Sequence, residues 1–152
     1  MEVEIRIDPE RQEPKLVIYA AQDSPQLREL ARQLEGISLG PVQVWEEERS
    51  LLLQQSEFLR FYTEGKGVCA QTADKTYTVR LRLYELEEEL DPLRFVRISN
   101  SEIVNLDTVT AIDLSYTGTI CMTLNDSVSC YVSRRYVKKI KEVLTQKRRD
   151  DR

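Results

Sequence analysis

The sequence predicts a mostly β protein of the α+β class, and three observations lead to this prediction. From about residue 50 onward, short apolar runs of strand length recur between turn-forming residues. A short acidic stretch with leucines at helical spacing, residues 81–90, interrupts these runs. An amphipathic basic helix follows the last run and begins after Ser133. This order is typical of an antiparallel β domain with one embedded and one terminal helix.

The predicted strands of this domain are short. Turn signals separate several of them, at residues 65–67, 116–118 and 125–126. Asp91-Pro92 ends the embedded helix, because the residue before proline avoids the helical region. The predicted strands are Val42–Trp45, Ser50–Gln54, Glu57–Tyr62, Val68–Thr72, Tyr77–Leu81, Phe95–Ile98, Val109–Leu114, Thr119–Leu124 and Val128–Val132.

The first 45 residues have a different pattern. Glu2–Ile7 alternates between charged and apolar side chains, and Lys15–Ala20 is a short apolar run, so both are predicted as strands. Ser24-Pro25 and Gly36 are an N-terminal cap and a left-handed C-terminal cap for a helix between them. We therefore predict two parts, an N-terminal accessory segment and a main domain, residues 1–45 and 46–152.

The composition excludes several classes of function. The chain has no histidine, which excludes histidine metal sites, histidine general bases and Ser-His triads. Its three cysteines have no CxxC spacing and are predicted to be reduced thiols of a cytosolic protein. The glutamates at 46–48 and 85–89 are interpreted as solvated faces. We therefore predict no enzyme activity, no cofactor, no metal and no small-molecule substrate.

Positive charge is concentrated at the C-terminus. The net charge is −4, but residues 133–152 contain nine Lys or Arg and three Asp or Glu. These twenty residues therefore carry +6 and the other 132 carry −10. A segregated basic end is typical of a nucleic-acid contact, and it is equally typical of a solvated terminal helix. The charge alone leaves both interpretations open.

Three short stretches each allow a structural and a functional interpretation. Ser99-Asn100-Ser101 fits a tight turn, but asparagine can also read bases and serine can bind phosphate. Ser133-Arg134-Arg135 fits a helix cap with surface charge, but arginine can also read guanine. Gly65-Lys66-Gly67 fits a hairpin turn, or a loop whose lysine contacts a phosphate.

Three runs of residues resemble the LytTR DNA-binding domain of bacterial transcription regulators. They occur in the family's order and spacing and cover roughly residues 50–145. They read FLRFYTEGKGVCAQTADKTYTVRLRLYELEEEL, FVRISNSEIVNLDTVTAI and VSRRYVKKIKEVL. The resemblance implies an elongated β fold that places loops in successive major grooves of a direct-repeat site in double-stranded DNA.

The resemblance also implies roles for individual residues. Asn100 matches the variable base-contacting residue of the FVR motif, and Ser101 matches the serine after it, a phosphate ligand. Many members have histidine at the position of Ser99. Arg135 matches the base-reading arginine of the SRRY motif. The remaining candidate DNA-binding residues are Lys66, Arg97, Ser133, Arg134, Lys138 and Lys139.

The resemblance finally implies partners and a place in the cell. It is to stand-alone cytoplasmic regulators without a receiver domain, some of which are held in check by a membrane-bound inhibitor protein. Sites in this family are paired repeats, so we expect residues 1–45 to contribute to a homodimer. The alternative is a protein-interaction module that does not bind DNA.

Overall fold

The computed structural model describes residues 1–12, 14–35, 40–115 and 118–150, and for residues 146–150 it describes the backbone. The helices in these residues are α1 (Pro25–Glu35), α2 (Leu83–Glu89) and α3 (Arg134–Asp150). The strands are β1 (Val42–Glu46), β2 (Arg49–Leu53), β3 (Phe58–Glu64), β4 (Gly67–Thr72), β5 (Thr76–Val79), β6 (Phe95–Ser99), β7 (Glu102–Asn105), β8 (Val109–Asp113), β9 (Ile120–Leu124) and β10 (Val128–Val132). No described helix is long and apolar enough to cross a membrane.

The strands form two antiparallel sheets. The larger has the order β2-β1-β5-β4-β3-β7-β6, and the smaller has the order β10-β9-β8. Both consist mainly of strands joined by short turns, which is the connection that antiparallel pairing allows. The predicted mostly β, α+β fold with an embedded and a terminal helix is therefore confirmed.

Two hydrophobic cores lie on opposite faces of the larger sheet. In the first core, α2 packs with Leu86 against the sheet, where the rings of Phe58 and Phe61 lie 4.8 Å apart. In the second core, the smaller sheet and Ile140 of α3 cover strands β3, β6 and β7. Ile103 faces the first core and Val104 the second, because successive residues of a strand point to opposite faces. The second core thereby fixes α3 beside the end of β6.

A buried asparagine supports the junction between the two cores. Asn105 is 1% exposed, and its Nδ2 donates to the carbonyl of Phe58 at 2.9 Å. Its Oδ1 accepts a hydrogen bond from the backbone N–H of Asp107 at 3.0 Å. Both polar ends of this side chain are therefore satisfied inside the protein, as burial requires.

The N-terminal segment differs from the prediction. Glu2–Ile7 and Lys15–Ala20 form no strand, and their side chains are exposed, so the two strand predictions are wrong. Alternation creates an apolar face, but a strand also needs a partner for its backbone, and the described residues provide none. The helix after Ser24 is confirmed as α1, which has no buried residue. The predicted cap at Gly36 lies outside the described residues, as do two residues of the turn at 116–118.

The larger sheet extends further toward the N-terminus than the predicted domain boundary at residue 45. Strand β1 pairs with β2 and β5, and its Val42 and Val44 are buried in the first core. The boundary falls inside this strand. The sequence analysis also missed β7, because four residues after a serine- and asparagine-rich turn are a weak strand signal.

Candidate nucleic-acid interface

Two hairpin turns lie side by side at one end of the larger sheet. Strands β3 and β7 are paired, and the N–H of Thr63 donates to the carbonyl of Ser101 at 2.9 Å. The β3–β4 turn, which carries Lys66, is therefore next to the β6–β7 turn. Gly65 in the first turn has a φ of 60°, a conformation that favours glycine. Lys66 is exposed at the tip of this turn.

The β6–β7 turn, residues 99–101, is held by hydrogen bonds from inside the protein. Nε of Arg97 donates to the carbonyl of Ser99 at 2.7 Å, and its Nη2 donates to the carbonyl of Asn100 at 2.6 Å. The hydroxyl of Ser99 accepts from the N–H of Ser101 at 3.2 Å. The side chains of Asn100 and Ser101 stay exposed on a turn whose backbone is fixed.

The start of α3 lies beside this turn. The N–H of Ser133 donates to the carbonyl of Ile98 at 2.9 Å, which joins the residue before α3 to the last part of β6. The hydroxyl of Tyr136 donates to Oδ1 of Asn100 at 3.3 Å. Arg134 and Arg135, in the first turn of the helix, are exposed. The two stretches that were ambiguous in the sequence are thus neighbours in the fold.

Gly118, which precedes β9, also lies close to the start of α3. Gly118 has a φ of 77°, and a Cβ built on it would lie 3.3 Å from Nε of Arg134. A side chain at this position would be both strained and crowded against the arginine. The side chain of Arg134 therefore lies alongside Gly118.

Two carboxylates close to the β6–β7 turn are engaged in ion pairs. Oε2 of Glu102 lies 2.7 Å from Nη1 of Arg60, and both side chains are mostly buried. Glu87 of α2 is paired with Nη1 of Arg97. Each of these negative charges is offset by an arginine, and exposed cations lie on the β3–β4 turn and on α3. These cations are Lys66, Arg134, Arg135, Lys138 and Lys139.

The comparison with family models covers this whole arrangement. Residues 48–145 match the model of the LytTr DNA-binding domain. The chain belongs to the LytTR family. The match includes both hairpin turns and the first two-thirds of α3, so the LytTR region of the chain contains every candidate contact residue named above.

Curated relatives match a large part of the chain. An uncharacterized HTH-type transcriptional regulator of Staphylococcus aureus strain NCTC 8325 / PS 47 is 43% identical over 94 residues, which is 62% of this chain and 63% of that protein. Its counterpart in strain MRSA252 is 42% identical over the same shares. The matched part is thus less than two-thirds of the length of these relatives.

A solved structure shows the same fold. It is the LytTr DNA-binding domain of a methyl-accepting/DNA response regulator from Bacillus cereus, with a TM-score of 0.66 and 21% identity. The match covers 69% of this chain and 96% of that chain. At this identity the likeness concerns the LytTR fold alone.

The LytTR fold brings most of the predicted site residues together on its surface. Arg97 is the exception, because its side chain is directed at other groups of the protein. Asn100, Ser101 and Lys66 are exposed on neighbouring turns, and Ser133 is half-buried before α3. Arg97, by contrast, directs its guanidinium at two turn carbonyls and Glu87, and its side chain is 17% exposed. Sequence reasoning missed Tyr136 and Glu87. Tyr136 is the tyrosine of the SRRY motif, which was the only signal for it, and Glu87 had no signal.

One buried thiol of the LytTR domain has an unusual environment. Sγ of Cys130 donates to Oε2 of Glu102 at 3.2 Å, and Nη1 of Arg60 lies 3.8 Å from the same sulfur. Burial, followed by the negative charge of Glu102, raises the pKa of Cys130 to about 12. The thiol therefore stays protonated at neutral pH, which makes it a poor nucleophile and argues against a redox role.

The raised pKa of Cys130 predicts a loss of stability in alkali. The unfolded chain releases this proton near pH 9 and the folded protein near pH 12, so the stabilisation is present below pH 9 and is lost as the pH rises. The thiol should lower the free energy of unfolding by about 1 kcal/mol between pH 8 and pH 10. Urea unfolding of the wild type and of Cys130→Ala at both pH values measures this. An equal loss in the two proteins would contradict the assignment.

Proposed function

We propose that this protein is a transcriptional regulator that binds double-stranded DNA sequence-specifically. The observation that carries the proposal is the placement of Asn100 and Arg135 as exposed neighbours at one end of a rigid sheet. Each can form two hydrogen bonds with the edge of a base in the major groove. The description of the curated relatives as transcriptional regulators supports the proposed role in transcription.

The proposed contact is made by loops and by the start of a helix, in successive major grooves of a direct-repeat site. In the described residues strands separate α1, α2 and α3 from one another, so no two of these helices are consecutive. The backbone N–H groups at the start of α3 favour a phosphate, and Ser101 and Lys66 extend the contact along the DNA backbone. Asn100 and Arg135 then provide the sequence preference.

The direct test is a selection of sites from a randomised duplex library with the full-length protein. Fluorescence anisotropy then compares the Kd for the selected site with the Kd for random DNA at several salt concentrations. A specific regulator is expected to bind its site roughly 10³-fold or more tightly than random DNA at physiological salt. Equal affinity for both DNAs, or no binding, would contradict the proposal and favour an interaction module without DNA binding.

The lysines of α3 are proposed to contact phosphates. Lys138 and Lys139 are exposed just after the arginines, on the side of α3 away from the buried Ile140. Lys138→Gln and Lys139→Gln should weaken binding to every DNA sequence and lower the salt slope by about one for each lost contact. The logarithm of Kd against the logarithm of salt concentration measures the slope. An unchanged slope would mean that these lysines only solvate the helix.

We also propose that residues 1–35 contribute to a homodimer. Val3, Ile5 and Ile7 are 80%, 82% and 84% exposed, and no residue of α1 is buried. A segment of this size with one helix and no buried residue in that helix is too small to be stable alone, whereas two copies provide a larger shared core. If two Glu2–Ile7 segments pair in antiparallel fashion around Ile5, Arg6 of one copy lies opposite Glu4 of the other, a favourable cross-strand pair.

The proposed setting in the cell follows from the family resemblance. We propose that the protein acts in the cytoplasm and that a membrane-bound inhibitor protein can restrain it. Cell fractionation, with and without the genes neighbouring its own, would test both statements. A protein that stays in the membrane-free fraction in every strain would contradict the inhibitor.

A further inference from the structure

Arg97 connects the β6–β7 turn to helix α2. Its guanidinium donates to the carbonyls of Ser99 and Asn100, and Nη1 is paired with Glu87. The donors of a guanidinium are fixed in one plane and can hold two carbonyls in a defined relative position, whereas the donors of a lysine ammonium rotate freely. Because the side chain is only 17% exposed, water competes weakly for these bonds. Arg97 is thus placed to fix the backbone of the turn from beneath.

Tyr136 acts on the same turn from the side of α3. Its hydroxyl donates to Oδ1 of Asn100 at 3.3 Å. The oxygen of an asparagine amide has two lone pairs, and its NH₂ group has two N–H donors. The bond from Tyr136 uses one lone pair and restricts rotation of the amide, while the other lone pair and both N–H groups remain for an outside partner.

We infer that Glu87, Arg97 and Tyr136 are positioning residues that preset the β6–β7 turn, so that Asn100 presents its amide to a base in one orientation. The inference rests on the proposed DNA binding and specifies how it discriminates. In the major groove each base pair presents a distinct pattern of donors and acceptors. An amide that is fixed in one orientation fits one of these patterns better than the others. Fixing the amide of Asn100 therefore sharpens the discrimination between bases at one position of the site.

The experiment uses full-length variants with matched controls. Glu87→Ala is compared with Glu88→Ala, because both remove one exposed negative charge from α2 and only Glu87 is paired with Arg97. Tyr136→Phe is compared with Tyr84→Phe, which removes the hydroxyl of an exposed tyrosine on α2. Kd values are measured for the selected site, for its single-base variants and for random DNA, and thermal unfolding confirms that each variant is folded.

The expected result is a loss of discrimination without a general loss of DNA binding. Glu87→Ala should lower the ratio of selected-site to random-DNA affinity about two- to fivefold, in the range of a single ion pair, while Glu88→Ala leaves it unchanged. Arg97→Lys, which keeps the charge but lacks the fixed planar fork of donors, should lower it further. Tyr136→Phe should weaken the preference between bases at one position of the site, and Tyr84→Phe should not.

Three results would overturn the inference. The first is equal behaviour of each variant and its control in a protein whose wild type discriminates; in that case the proposed function stands and only the positioning role fails. The second is an unchanged ratio in Arg97→Lys together with a salt slope lowered by about one in Arg97→Gln, which would make Arg97 a phosphate contact. The third is a wild type that does not distinguish its site from random DNA, which overturns the proposed function as well.

Discussion

Replacing Arg135 with alanine is expected to weaken binding to the selected DNA site by about 1–3 kcal/mol, and Asn100→Ala should have an effect of the same size. Each side chain is exposed at the start of α3 or on the β6–β7 turn, where it can reach the edge of a base. Affinity for random DNA should change little, because hydrogen bonds to base edges depend on the sequence of the DNA. Anisotropy titrations on both DNAs measure the two effects.

The control for this prediction is Lys141→Ala. Lys141 is an exposed cation farther along the same helix, so its loss reports the effect of one positive charge without a base contact. This variant should bind the selected site almost as well as the wild type. If Arg135→Ala and Asn100→Ala weaken binding to selected and random DNA equally, both residues are phosphate contacts and specificity must come from elsewhere.

Deleting residues 1–39 should abolish the advantage of a paired site over a single half-site. The remaining chain keeps every residue of the two hydrophobic cores, the first of which is Val42, and the carbonyl of Gly40 that accepts from Gln55. We therefore expect a folded domain that binds a half-site with unchanged affinity. Loss of the linkage between two copies should weaken paired-site binding by about 100-fold.

Sedimentation equilibrium of the deleted and full-length proteins tests the cause of this loss. The full-length protein should be a dimer and the deleted protein a monomer. Ile5→Asp, which places a charge in the middle of the exposed apolar row, should mimic the deletion without shortening the chain. A deleted protein that has the same mass as the full-length assembly and binds the paired site as tightly would disprove the homodimer.

The sequence predicted most of the LytTR domain because its turns and apolar runs are local signals. Strands β3, β4, β9 and β10 are bounded by glycine or by the Asn125-Asp126 pair, and the structure places them within a few residues of the prediction. Helix α3 was recognisable from its apolar face, whose Ile140 is fully buried. The pattern of turn residues and apolar side chains was therefore sufficient to predict these strands and α3, because the structure of each is determined by its own residues.

The N-terminal segment and the environment of Arg97 could not be predicted in this way. The alternation of Glu2–Ile7 indicates a strand, but whether it forms one depends on a partner that a single chain does not supply. Arg97 belongs to a motif that implies DNA contact, and only folding brings Glu87 of α2 against it, ten residues away in sequence. Tyr136 and Asn100 are 36 residues apart, so their hydrogen bond also has no local signal.

Methylation protection on the selected site tests the central claim most directly. Dimethyl sulfate modifies N7 of guanine, which lies in the major groove where Arg135 is proposed to bind. We predict that the wild-type protein protects guanines in successive major grooves on one face of the DNA, and that Arg135→Ala loses protection of one guanine in each repeat. Full reactivity of these guanines in a saturated complex with the wild-type protein would contradict major-groove recognition by this domain.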